Sequence, residues 1–329
     1  MTTKKIANGT AHQSAHRGRF SRLLAFVPVA AALCMASLPA HAGLTFTTTF
    51  DANYNATAKA TIATGLAEYG ALFNDNVNVT LDFISSGSGL GSSSTYSFNV
   101  DYLAYHNALI ADATSAVDTI ALARLASDGA GANNPVSHTG TIFQGRAGLA
   151  AVGINVNTGN IPNYFDGVID LNLGIMNLDR ITIAPSKYDL KGVLQHEVDE
   201  VLGTISNVGQ TDPRPVDLFR FDASGNRSFT NANTAAAYFS IDGTTQLARY
   251  NQNAGGDYGD WFSCPTGAAV PQVQDACSSS GLTQNLGVEV TLLDVIGWTR
   301  STQNSVPEPG SLALVFAGLV GLAASRRKG

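Results

Sequence analysis

The stretch VLQHEVDEVLGT, residues 193–204, decides how the rest of the chain is read. Leu190, Val193, Leu194, Val198, Val201 and Leu202 recur at helical spacing and predict a buried amphipathic helix. It opens at an S-x-x-D capping pattern formed by Ser186 and Asp189 and stops at Gly203. Within this apolar segment stand His196, Glu197 and Glu200. His196 and Glu200 are four residues apart, so both side chains leave one side of the helix one turn apart, as two ligands of one cation require. Glu197 is rotated from His196 by about 100° and can reach a water held between the two. The competing reading is a solvated acidic face with an incidental histidine. In that case Glu197, Asp199 and Glu200 repel one another with no lysine at helical spacing to compensate.

The ends of the chain set the compartment. Lys4, Lys5, Arg17, Arg19 and Arg22 precede the apolar run LLAFVPVAAALCMASLPA and the small-residue site Ala40-His41-Ala42. Residues 1–42 therefore read as a secretory signal peptide, with the mature chain beginning near Gly43. At the other end, Pro307-Glu308-Pro309 precede an uncharged stretch from Gly310 to Ser325 closed by Arg326, Arg327 and Lys328. On physical grounds this is a short transmembrane helix with a basic stop. The tripeptide, helix and basic end in this order resemble the PEP-CTERM sorting signal over residues 306–329. The resemblance implies recognition and removal by an exosortase after export, in the envelope or extracellular polysaccharide matrix of a Gram-negative bacterium.

Between these tails, residues 43–305 hold 11 Lys plus Arg against 24 Asp plus Glu, a net charge of 11 − 24 = −13. Nucleic acid and anionic membrane are poor partners for such a body. Cys264 and Cys277 are the even pair left after the signal peptide takes Cys34, and in an oxidising compartment they read as a disulfide worth about 3 kcal/mol.

The remaining pattern predicts strands at LTFTTTF, VNVTLDFI, DGVIDLNLG and RITIA, and helices over residues 56–73, 100–113 and 116–127. AGLAAVGI fits helix or strand, and VEVTLLDVIGW closes the domain. SSGSGLGSSSTYS, residues 85–97, reads as a loop. This is an α+β domain with a mixed sheet, and no glycine fingerprint for a dinucleotide follows any strand.

His196 to Gly203 resembles the active-site helix of zincin metallopeptidases, with the glycine of the metzincin branch. Together with PVDLFRFDASGNRSFT, AYFSIDGTTQLARYN, GGDYGDW and VEVTLLDVIGW, it resembles a family of exported bacterial zincin-like proteins in which glutamate often takes the second ligand position. The resemblance implies a zincin-like metallopeptidase domain over 43–305, zinc on His196 and Glu200, Glu197 as general base, and a protein or peptide substrate. The third metzincin ligand would fall on Ser206, a poor zinc donor, and no methionine follows the motif within the body. Asp217, at the expected start of a strand DLFRF, is the candidate third ligand, with Asp212 beside it and His106 and His138 more remote. Asp257 and Asp260 in GGDYGDW fit either a calcium site or a capped turn. Two functions remain open: a zinc metallopeptidase, and an extracellular matrix or surface binding protein that keeps the fold without hydrolysis.

Overall fold

The computed structural model describes residues 43–264 and 270–301. The expected signal peptide, residues 1–42, and the 306–329 segment lie outside the described residues. Among the described residues, no helix is long and apolar enough to cross a membrane.

Strand β1 (Thr45–Phe50) leads into helix α1 (Ala56–Leu72), capped by the Asn55 side chain on Ala58 N. β2 (Asn78–Ile84) follows, then β3 (Gly91–Ser94) and β4 (Ser97–Asp101). Helices α2 (Tyr102–Asp112) and α3 (Ala116–Ser127) come next, then β5 (Thr141–Gly145) and α4 (Arg146–Ala151). β6 (Gly167–Leu171) and the short strands β7 (Met176–Asn177) and β8 (Tyr188–Asp189) precede α5 (Leu190–Asp199). Three two-residue strands, β9 (Arg220–Phe221), β10 (Tyr238–Phe239) and β11 (Ala248–Arg249), and helix α6 (Glu289–Val295) complete the domain.

The main sheet has the order β1-β2-β6-β3, with β1, β2 and β6 parallel and β3 antiparallel on the edge. This is the mixed sheet expected of the α+β reading. β2 and β6 alternate buried and partly exposed residues, the period of two that lays Val79, Leu81, Phe83, Ile169 and Leu171 on the core. Helix α5 packs beside α1, β6 and β3. These approaches are close enough to require glycine. A Cβ on Gly65 of α1 would come 2.8 Å from Leu194, one on Gly167 of β6 would come 2.3 Å from Val201, and one on Gly91 of β3 would come 2.6 Å from Glu197 Oε1.

Three local expectations need correction. The Ser- and Gly-rich loop contains β3, whose low strand propensity is overridden by its ladder to β6. RITIA forms no strand, and Ile181 is almost fully exposed. Asp217 lies inside a 3-10 turn, Pro215–Phe219, so the strand begins only at Arg220. AGLAAVGI resolves as the helix α4.

Candidate metal centre

Helix α5 is set by its ends and its apolar stripe. Asp189 is the N-cap and accepts from Gly192 N, so the helix starts three residues after the expected Ser186. Arg180 pairs with the same carboxylate. Leu190, Val193, Leu194 and Val198 are buried, and the Tyr69 hydroxyl of α1 meets both Gln195 O (2.9 Å) and Asp199 Oδ1 (2.7 Å). The helix then widens into one π turn, Glu200–Thr204, inside which Gly203 leaves helical geometry with φ +140°. Trp298, just after α6, supports that turn from below by donating its indole N–H to Leu202 O at 3.0 Å.

The acids of this helix are not a solvated face. Asp199 is completely buried and turned towards Tyr69, and Glu197 is only 5% exposed. His196 Nε2 lies 3.8 Å from Glu200 Oε1 and 3.6 Å from Asp260 Oδ1. One donor atom from each of these three residues falls within 4.8 Å of the other two, and among the described residues no other three His, Cys, Asp or Glu converge in this way. Donors at about 2.0–2.2 Å from a tetrahedral zinc stand about 3.4 Å apart, so the cluster is slightly more open than a filled site.

Neighbours orient each member. The His196 Nδ1–H donates to Val273 O at 2.9 Å, because a carbonyl only accepts, and this leaves Nε2 as the ring nitrogen that faces the carboxylates. The Ser93 hydroxyl of β3 donates to Glu200 Oε2 at 2.6 Å, leaving Oε1 on the side of His196. The Gln274 side-chain amide donates to Asp260 Oδ1 at 2.9 Å. Such partners fix ligand geometry in metal sites generally.

The electrostatics are those of a pocket short of positive charge. Burial pushes the Glu197 carboxyl up strongly, and the charge of Glu200 adds to this while His196 opposes it. Burial likewise raises Asp260, with Asp257 and Glu200 reinforcing the shift against His196. Burial alone would lower His196, but Asp260, Glu197 and Glu200 around it outweigh that and raise it. A divalent cation would relieve all of these repulsions at once.

The structure does not bring Asp217 to this group. Its carboxylate accepts from Ser206 Oγ (2.6 Å), Asn207 N (2.9 Å) and Arg214 N (2.8 Å), which spends it on holding the turn after α5. Asp212 accepts from Thr141 Oγ1 and, at 3.4 Å, from Asn99 Nδ2. His106 stacks on Tyr102 within α2, and His138 lies in a loop. Of the pair in GGDYGDW, Asp257 caps a turn by accepting from Gly259 N at 2.6 Å, whereas Asp260 is the residue that faces His196. Ser93, Val273 and Gln274 carried no signal in the sequence, because each acts through a contact between distant segments.

A small cavity of about 150 Å3 opens beside the cluster, lined by Leu90, Gly91, Val193, His196, Glu197, Val273 and Asp275 among others. The Cys264–Cys277 disulfide forms, and the segment it closes carries Val273, Gln274 and Asp275.

Residues 305–328 match the PEP-CTERM protein-sorting motif. No curated protein and no solved structure matches the chain. The motif makes this an exported protein of the Gram-negative cell envelope, recognised and sorted by an exosortase.

Proposed function

We propose that this exosortase-sorted protein is a zinc-dependent peptidase of zincin-like architecture, with His196, Glu200 and Asp260 as protein ligands and Glu197 as general base. The observation that carries the reading is the convergence of the three donors, two from one helix and one from a distant loop, beside a buried glutamate. The donor set fits zinc better than calcium, because an imidazole whose Nε2 gives up its proton to the cation is an ordinary zinc ligand while calcium takes oxygen. Two carboxylates in the set make the metal less electrophilic than a three-histidine site would.

When bound, zinc supplies a Lewis acid that polarises a carbonyl and brings the pKa of its water down to about 7. Glu197 takes the proton of the attacking water and passes it to the leaving amine. Its burial, which raises its affinity for a proton, suits both halves of that transfer. The substrate is held by strand addition. Among the described residues, β3 pairs with β6 on one side only and crosses the site with Gly91 over Glu197 and Ser93 on Glu200, so an extended peptide can join its outer edge.

The test is zinc content and casein hydrolysis measured on the same sample of exported protein. One zinc per chain with hydrolysis abolished by a chelator supports the peptidase. One zinc per chain with no hydrolysis of any protein substrate moves the reading to the extracellular matrix or surface binding protein.

A further inference from the structure

The cavity beside Glu197 contains a carboxylate that the hydrolytic reading does not use. Asp275 lines it and is only 5% exposed. Its Oδ2 accepts from Gln272 N at 2.8 Å. No described residue donates to its Oδ1, which leaves that oxygen as the acceptor this cavity-lining residue can offer. A buried carboxylate with one oxygen bare is costly unless a donor arrives to meet it.

We propose that Asp275 forms a subsite for a cationic group, an ammonium or a guanidinium, carried by the substrate residue next to the scissile bond. The inference rests on the peptidase reading for the word substrate, and on the cavity alone for the cation. Leu90 and Val193 give apolar walls for a methylene stem, and the volume of about 150 Å3 suits a single side chain. Ser278 also lines the cavity, and because its hydroxyl hydrogen goes to Gln284 Oε1 at 2.8 Å, its oxygen is left as a second acceptor. Among the described residues, no lysine or arginine lines the space. Nearby cations are already engaged elsewhere, Arg180 by Asp189 and Asn285 and Lys191 by Glu68. With Glu200 and Asp260 neutralised by a divalent ion, Asp275 is the carboxylate of the cavity wall that remains to meet a cation.

The cation has two sources in a peptide, a Lys or Arg side chain and the N-terminal α-ammonium. The first makes the protein an endopeptidase with a basic preference, the second an aminopeptidase. Three probes separate them: N-acetyl-lysine amide, norleucine amide, and the neutral N-acetyl-norleucine amide, each titrated by calorimetry into zinc-loaded full-length mature protein. One of the two cationic probes should bind roughly tenfold or more tightly than the neutral one. Asp275→Asn, which retains an oxygen for Gln272 N, should reduce that probe to the neutral level with zinc content and melting temperature unchanged. Equal binding of all three probes, or an unchanged preference in Asp275→Asn, overturns the proposal. The probes are bound and not cleaved, so a failure of hydrolysis or of zinc loading, read on the same samples, is distinct from a failure of the subsite.

Discussion

Two groups of buried acids occupy this domain and behave differently. The first is His196, Glu200 and Asp260, with Glu197 alongside. The second lies where α1, α2 and α6 end: Asp75 accepts from Thr299 N with both oxygens, Asp112 accepts from Thr299 Oγ1, and Asp294 sits buried with neither oxygen in a close hydrogen bond among the described residues. Burial pushes Asp75 and Asp112 up to about 6 and Asp294 up to about 7, so the second group shows the same electrostatic discomfort as the first. It has no histidine, however, and its oxygens do not meet within reach of one ion. Desolvated acid alone is therefore not a site. A site needs donors that converge and partners that hold them there, while isolated buried carboxyls are relieved more simply by keeping a proton.

The contrast breaks first, and most severely, at the ligands. His196→Ala and Glu200→Ala should each weaken zinc binding by about 10²-fold or more, because each removes one of three protein donors. Dialysis against a chelated zinc buffer measures this, and full zinc in Glu200→Ala would show that Glu200 is not a ligand. Glu197→Gln should keep its zinc while hydrolysis falls by about 10²-fold or more, since the amide retains the size but cannot take the proton. Unchanged turnover in that variant would end the mechanism given above. Ser93→Ala is expected to lower zinc affinity by about tenfold through loss of the Glu200 Oε2 anchor. An affinity within twofold of the parent would make that hydrogen bond incidental.

The second group gives the smallest effect and the opposite logic. Asp294 has a folded pKa raised from 3.8 to about 7, so its stabilising contribution is complete below pH ~4 and is lost as pH climbs through 7. Asp294→Asn should therefore stabilise the protein at pH 8 by about 1–3 kcal/mol and change little at pH 4. Urea titrations at the two pH values measure this. A loss of stability at pH 8 would mean that the ionised form has a partner.

The sequence was most informative where interactions are local. The apolar stripe from Leu190 to Leu202 fixed α5, and the four-residue step from His196 to Glu200 placed both on one side. The pair Cys264 and Cys277 was legible from the even count of cysteines left after export, and the C-terminal sorting segment from the order of its features. Long-range features were not legible. Asp260 stands 60 residues after Glu200, in a turn whose glycines resemble any surface loop, whereas Asp217 lies nearer in sequence but spends its oxygens on Ser206, Asn207 and Arg214. β3 was hidden because Gly91 is required by its passage over Glu197 and Ser93 by its bond to Glu200. Both choices serve the site at the expense of strand propensity.

The most direct test of the central claim compares zinc per chain in three proteins purified after export: the parent, Asp260→Ala and Asp217→Asn. The expected result is one zinc in the parent, little or none in Asp260→Ala, and one zinc in an Asp217→Asn protein of lower melting temperature. Full zinc in Asp260→Ala, with zinc lost from Asp217→Asn, would contradict the site described here.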